Sequence, residues 1–364
     1  MRQFRKTVCA FLDEALTPDL RAAGRNTTGV YSEPEACAIW HRRLFEVGWI
    51  APAWPAIWGG PGWDAQQRAI FDEECARQDA PILFNAGIRS IGPLLIEMGT
   101  PAQKAMHLPA ILCGDELWCQ GFSEPSAGSD LAAISSSARD AGGHFLLNGQ
   151  KIWTTGAHLA QRMFAIFRTD PDSSGSAGLT FFLIDMASPG ISVRPLLDLR
   201  GEHEFNEVFF DDVLVAAQDC VGPVNDGWRT AKRLMALARS NNSPASHTRR
   251  VLKRVREALG AEASPHEVLR LAELEAELDA FSALEQQPVS KAAADQATRA
   301  SVLKILGSEL KQKACALALD IGVSCADGER STFLQRQYFG SRAASIYSGA
   351  NEIQRNILAR ALLK

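Results

Sequence analysis

The chain has 364 residues, 46% of them hydrophobic and 22% charged, and 38 basic against 42 acidic side chains leave a formal net charge of −4. That length holds two or three structural units, and the composition is that of a globular protein. No block of like charge offers a surface to nucleic acid or to lipid headgroups, so neither is expected as a partner.

The first segment, "MRQFRKTVCAFLDEALTPDL", carries acids inside its apolar part and does not read as a signal peptide. No apolar run approaches the ~20 residues that cross a bilayer. Eight cysteines, at 9, 37, 75, 113, 119, 220, 315 and 325, show no CxxC spacing. Scattered single thiols suit a reducing cytosol, so a cytoplasmic location is expected and a metal site is not.

The first third reads as helix. "EPEACAIWHRRLFEVGW" places apolar residues at 36, 39, 40, 44 and 47, the spacing of one helix face. "APAWPAIWGGPGWD" is too rich in Pro and Gly for regular structure, and its tryptophans predict a packed loop. In "GTPAQKAMHLPAIL", Thr100 predicts a cap, Pro101 suits the first turn and Gln103 completes a capping box.

Near residue 116 the texture changes. "HFLLNGQKIW" reads as two short strands joined by a hairpin turn at Asn148-Gly149. "RMFAIFRT", "LTFFLID", "ISVRPL" and "NEVFFDDVLV" follow as strands split by turns, which predicts a small barrel or sandwich. From about residue 226 the helical period returns. Leu271, Leu274, Leu278 and Phe281 share one face, as do positions 303, 306, 310, 314 and 317, and such helices pack antiparallel. The acidic stretch "LAELEAELD" reads as a solvated face.

Three stretches carry chemistry. In "WCQGFSEPSAGSDL" (118–131) small residues let backbone N–H groups approach a phosphate, and Ser123 and Ser129 add hydroxyls; a capped surface turn is the bland alternative. In "GQKIWTTGAH" (149–158) the Trp153 indole stands beside Thr154 and Thr155, fit to stack on a flat heterocycle and bond its edge; a core tryptophan is the alternative. "ASIYSGANEIQRN" (344–356) is a small-residue run, a turn at Ser348-Gly349 and a helix start, the kind of turn that borders a ligand site. No GxSxG elbow is present, and His107 and His158 read as structural or surface residues.

Taken in order with "GLTFFLIDMASPGISVRPLLDLRGEHEFNEVFFDDVLV", these segments resemble the acyl-CoA dehydrogenase family over nearly the whole chain, in a bacterial branch with "WCQGFSEP" and a closing "GxNEIQRN". The resemblance implies an α+β multidomain fold: an N-terminal all-α domain (1–115), a central β-barrel (116–225) and a C-terminal four-helix bundle (226–364). It implies a tetramer holding FAD between barrel and bundle, with a neighbouring subunit completing the pocket. By the same resemblance Gln120, Phe122 and Ser123 line the flavin, Trp153 and Thr155 pack on and bond the isoalloxazine, and Ala350 and Glu352 meet a neighbouring chain's FAD. Ser129, Tyr347 and Gly349 face an acyl-CoA substrate. Electron-transfer flavoprotein is the implied acceptor, and fatty-acid or steroid degradation the implied setting. The lack of a GxGxxG or P-loop fits, because this family binds FAD without a Rossmann motif.

The family's reaction is α,β-desaturation. A carboxylate takes the pro-R α-proton while hydride leaves the β-carbon for flavin N5, and hydrogen bonds to the thioester oxygen stabilise the developing enolate. The usual base follows Tyr in the closing motif, where this chain has Ser348. Some relatives carry it in an "-ER-" pair, where "MALARSNN" has Ala238. An unassisted Ser hydroxyl is far too weak a base. The RxxFG segment that reaches FAD across the interface is absent from "REALGAEASPHEV", and a Gln-xx-GG-x-G segment is unrecognisable in "LALDIGVSCADGERS". The barrel half of the flavin site reads as intact and the bundle half as degraded. A base-lacking subunit of a heterotetramer fits both departures; a flavin monooxygenase and a non-catalytic flavin- or acyl-CoA-binding scaffold are the alternatives on the same fold.

Overall fold

The computed structural model describes residues 1–238, 244–260, 263–287, 293–324 and 328–363. Cys325 and parts of "MALARSNN", "REALGAEASPHEV" and "LALDIGVSCADGERS" lie outside the described residues. The helices in chain order are α1 (Arg2–Ala15), α2 (Pro18–Asn26), α3 (Pro34–Glu46), α4 (Ala65–Arg77), α5 (Gly92–Met98) and α6 (Pro101–Cys113). After the sheet come α7 (Gly227–Ala238), α8 (Ala245–Leu259), α9 (Pro265–Gln286), α10 (Ala293–Ser324), α11 (Gly328–Ser341) and α12 (Asn351–Leu362). Between α6 and α7 run β1 (Trp118–Gly121), β2 (Ser137–Asp140), β3 (His144–Lys151), β4 (Arg162–Arg168), β5 (Leu179–Asp185), β6 (Ile191–Leu197) and β7 (His203–Ala216). Contacts group the chain into two compact units: one of 1–43, 62–83 and the described residues after 238, the other of 44–61 and 84–238.

The second unit contains the sheet, in order β1-β4-β2-β3-β7-β6 with β5 also on β4. β4 and β5 are antiparallel, and their nearly continuous burial marks strands covered on both faces. Its core gathers Leu147, Met163, Phe167, Phe182, Val208 and Val213. α6 begins with the predicted capping box, Thr100 Oγ1 accepting from Gln103 N and Gln103 Oε1 from Thr100 N. Trp54 of the Pro/Gly-rich stretch is buried and donates to Ile88 O at 2.8 Å, so that stretch is the packed loop expected.

The expected hairpin at Asn148-Gly149 is not formed. β3 runs through both residues, paired with β7, and its register shifts between Leu147 and Gly149. Asn148 bonds across the strands, its Nδ2 to Asp212 Oδ1 and its Oδ1 to Asp212 N, so the pair marks a bulge. Gly149 is required there: φ is 138° and a Cβ would lie 2.2 Å from Ser136 Oγ.

In the first unit α8 packs on α9 and α10, and α10 on α11 and α12. Leu271, Leu278 and Phe281 of α9 and Leu303, Leu310, Ala314 and Leu317 of α10 are buried together, with Leu274 partly so. Leu306 departs from the expected stripe and is exposed. On α3 the buried side is Ala36, Cys37, Trp40 and Leu44, while Ile39 and Val47 are exposed, so that face is narrower than the spacing predicted. Asp79 holds a left-handed φ of 59° and collects Arg25, Lys253 and Arg254. Gly24 lies against it, where a Cβ would come 2.0 Å from Asp79 O.

Glu285 accepts from Ala245 N at 3.0 Å, and burial, with Asp72 nearby, pushes its pKa up to about 7. The folded state therefore holds this proton more tightly than the unfolded chain. Stability falls as pH rises from the ordinary Glu range through 7, by at most about 3 kcal/mol. Glu285→Gln keeps an acceptor for Ala245 N. It is expected to raise the melting temperature by several degrees at pH 8 and to leave it unchanged at pH 4. Equal shifts at both pH values in scanning calorimetry would refute this.

Candidate functional site

The loop after β1 is shaped by a buried ion pair. Lys151 and Glu124 are both buried, and Lys151 Nζ meets Glu124 Oε1 at 2.7 Å and Ile166 O at 2.8 Å. Glu124 also accepts from Ser135 N and Oγ and from Ser136 N, which fastens the 122–136 loop to the barrel. Burial would raise the Glu124 carboxyl, but the Lys151 ammonium and the Ser135 and Ser136 donors outweigh it and hold the pKa below the ordinary range.

Ser123 O accepts from Ile152 N at 2.9 Å, so the two expected barrel stretches meet. Gln120 is exposed on β1, and Ser123 and Thr155 are half-buried. None of these three side chains makes a hydrogen bond within the described residues, and the buried Thr154 hydroxyl has no partner there. The Phe122 ring is buried edge-on to Phe164 and Phe181, so only its backbone is left for a ligand. Ser129 is exposed in the following bend. Trp153 is 60% exposed, with Phe205 against its ring at 6.2 Å, and takes φ 59°, rare for a bulky residue. Gly156, at φ 64°, lies where a Cβ would meet Phe84 at 2.6 Å. An exposed indole next to Thr155, on a stretch bonded to the Ser123 loop, with the uncommitted Gln120 carboxamide on the strand leading into that loop, offers the donor and stacking groups that a flat heterocycle with a polar rim needs. These barrel residues fit a flavin.

The closing segment belongs to the other unit and is described by itself. After a 3₁₀ turn at Arg342–Ser345, Tyr347 N donates to Ala343 O. Ser348 (φ 57°) and Gly349 (φ 92°) reverse the chain, and α12 begins. A Cβ on Gly349 would lie 2.4 Å from Gln354 Nε2. Ser348 is exposed, as is Glu352 one residue into α12.

A polar row on α10 at positions 301, 304, 308 and 312 holds this turn, at the spacing of one helix face. Ser301 Oγ donates to Gln354 Oε1, and Lys304 Nζ to Ala344 O (3.0 Å) and Asn351 Oδ1 (2.8 Å). Ser308 Oγ bonds Asn351, and Gln312 Nε2 donates to Ser341 O and Ser345 Oγ. Burial pulls the Lys304 pKa down to about 8, against Glu352 and Glu309. Lys304→Met leaves the Ala344 carbonyl without its donor and is expected to cost about 1–3 kcal/mol. An unchanged denaturant midpoint would refute that role. Sequence reading missed this row because it interleaves with the apolar positions of α10. It also missed Asn206, Glu124 and Lys151, whose signal is a polar residue between buried positions of a strand or tight loop.

Helical segments come before and after a curled sheet, whose loops present the exposed Trp153 indole, and this is the three-part α+β architecture. Sequence profiles match acyl-CoA dehydrogenase N-terminal domain over residues 1–115, middle domain over 119–213 and C-terminal domain over 225–363. The chain belongs to the acyl-CoA dehydrogenase family, oxidoreductases acting on a CH–CH bond of an acyl-CoA. The expected fold class is thereby borne out. Acyl-CoA dehydrogenase IpdE1 of Mycobacterium tuberculosis is 36% identical over 376 residues, covering 100% of this chain and 97% of the relative. Acyl-CoA dehydrogenase FadE29 of the same organism is 31% identical over 337 residues, covering 89% and 87%. The crystal structure of the ChsE4-ChsE5 complex from Mycobacterium tuberculosis superposes with a TM-score of 0.84 at 25% identity, covering 100% of this chain and 96% of that one. The Tcur3481-Tcur3483 steroid ACAD gives the same TM-score, 0.84, at 23% identity and over 100% and 96% of the two chains, a likeness of fold. No helix among the described residues is long and apolar enough to cross a membrane.

Proposed function

We propose that this chain binds FAD and serves α,β-desaturation of an acyl-CoA as the base-lacking subunit of a tetramer with a related dehydrogenase chain. Its three domains are 1–115, 116–225 and 226–364, its location is cytoplasmic, and its electrons pass to electron-transfer flavoprotein. The carrying observation is Ser348: the turn that follows Tyr347 presents an exposed hydroxyl where the family places a carboxylate. The kinship to a complex of ChsE4 with ChsE5 supports a second, non-identical subunit.

Gln120, Ser123 and Thr155 bond the flavin edge, Trp153 stacks on it and the Phe122 backbone approaches it. Ser129, Tyr347 and Gly349 face the acyl-CoA. Ala350 and Glu352 meet the neighbouring chain's FAD. When bound, FAD supplies the acceptor for the substrate's hydride. The chain's own residues place and exclude: they hold the ring, shape the thioester's surroundings and leave the proton to another polypeptide. Co-purification with the adjacent dehydrogenase-like gene product, followed by a visible spectrum and a mass measurement, tests this. A yellow complex with equal amounts of both chains is expected. A colourless protein after soaking with FAD, or full desaturation by the lone chain, would overturn it.

A further inference from the structure

Asn206 sits on β7 and is fully buried, at 0% exposure. Its backbone carbonyl accepts from Thr154 N at 3.0 Å, and its Nδ2 donates to Thr154 O at 3.0 Å. One residue thus holds the N–H and the C=O of the residue next to Trp153. On either side Ile152 N donates to Ser123 O and Gly156 N to Glu204 O, each at 2.9 Å. A tryptophan at φ 59° stays there only when its surroundings over-determine it. We propose that Asn206 is the positioning residue that keeps Trp153 and Thr155 presented to the flavin ring. This rests on the flavin reading above.

The carboxamide's direction is set by its partners. Thr154 O can only accept, so Nδ2 faces it, and the second Nδ2 hydrogen points at His158 Nδ1, 3.1 Å away. Oδ1 accepts from His203 Nε2 at 2.7 Å. The two imidazoles stack with centroids 3.8 Å apart and planes 24° from parallel. His158 Nδ1 must therefore carry no proton. Burial, and His203 beside it, hold the His158 pKa below the usual imidazole value. The ionisable neighbour that acts on His158 is His203, and the charged side chains flanking the pair in sequence or on the adjoining strand are held by other partners. Arg200 closes on Asp198 and Glu204, Glu207 accepts from Gln150, and Lys151 closes on Glu124. Protonating His158 sets N–H against N–H, turns the amide away from Thr154 and frees the Trp153 loop.

The test is titration with FAD of the purified protein, alone and in complex with its partner subunit, followed by flavin absorbance between pH 4.5 and 8. Wild-type affinity should fall about tenfold at one pH unit below the histidine midpoint, as the binding-competent fraction falls. Asn206→Asp keeps the acceptor for His203 but pairs with an imidazolium, so its affinity should be at least about tenfold weaker at pH 7.5 and should rise as pH falls. His158→Gln should flatten the pH trend in a protein with the wild-type melting temperature, which serves should the Asp variant not fold. If Asn206→Asp and His158→Gln keep the wild-type pH trend, or only melt earlier, Asn206 has no positioning role. If Trp153→Ala also leaves FAD affinity unchanged, the flavin reading fails as well. If Trp153→Ala weakens binding while those two variants match the wild type, only the inference about Asn206 fails.

Discussion

Glu124→Ala should lower the unfolding free energy by about 3–5 kcal/mol, the cost of leaving one member of a buried ion pair alone. Lys151 is wholly buried, and its ammonium would keep Ile166 O as its hydrogen-bond acceptor and the face of the Phe167 ring, 4.5 Å away, but no counter-charge. Burial already draws the Lys151 pKa down to about 8, so in the variant the side chain would shed its proton near neutral pH. Ser135 and Ser136 would lose their acceptor at the same time, releasing the loop that carries Ser123 and Ser129. Lys151→Met combined with Glu124→Leu removes both charges and should recover most of the loss. Equilibrium denaturation of the two variants decides the matter. Equal destabilisation by both would mean that the loop bonds, and not the charge, carry the effect.

The lone chain should desaturate acyl-CoA about 10²–10⁴-fold more slowly than the complex, the usual contribution of a placed general base. Ser348→Ala within the complex should stay within about twofold of wild-type turnover, because a hydroxyl at its ordinary pKa takes no proton from the thioester. Both numbers come from one assay, reduction of a dye or of electron-transfer flavoprotein. A Ser348→Ala variant that loses turnover tenfold would place Ser348 in the chemistry.

The helix–sheet–helix order and the closing turn were legible because each has a strong local cause. Thr100 and Gln103 cap their helix from neighbouring positions, and Gly349 must take a φ that a side chain disfavours. Asn148-Gly149 misled for an instructive reason. The same residues that make a two-residue turn also make a bulge, and only the pairing with Asp212 on a distant strand separates the two. Phe122 was legible as part of a motif but not as a core ring, since burial depends on Phe164 and Phe181, about 40 and 60 residues further along. Asn206 and the α10 row were invisible for the same reason: their partners lie tens of residues away.

The α10 row has a consequence for how such chains can change length. Four holders on one helix face move as a set, so adding a single residue to α10 between 304 and 308 would rotate Ser308 and Gln312 by about 100° away from Ser301 and Lys304. The Tyr347–Gly349 reversal would then lose half its supports however well the rest of the bundle absorbed the change. Homologous lineages should therefore keep the count from 301 to 312 fixed while their outer loops grow and shrink.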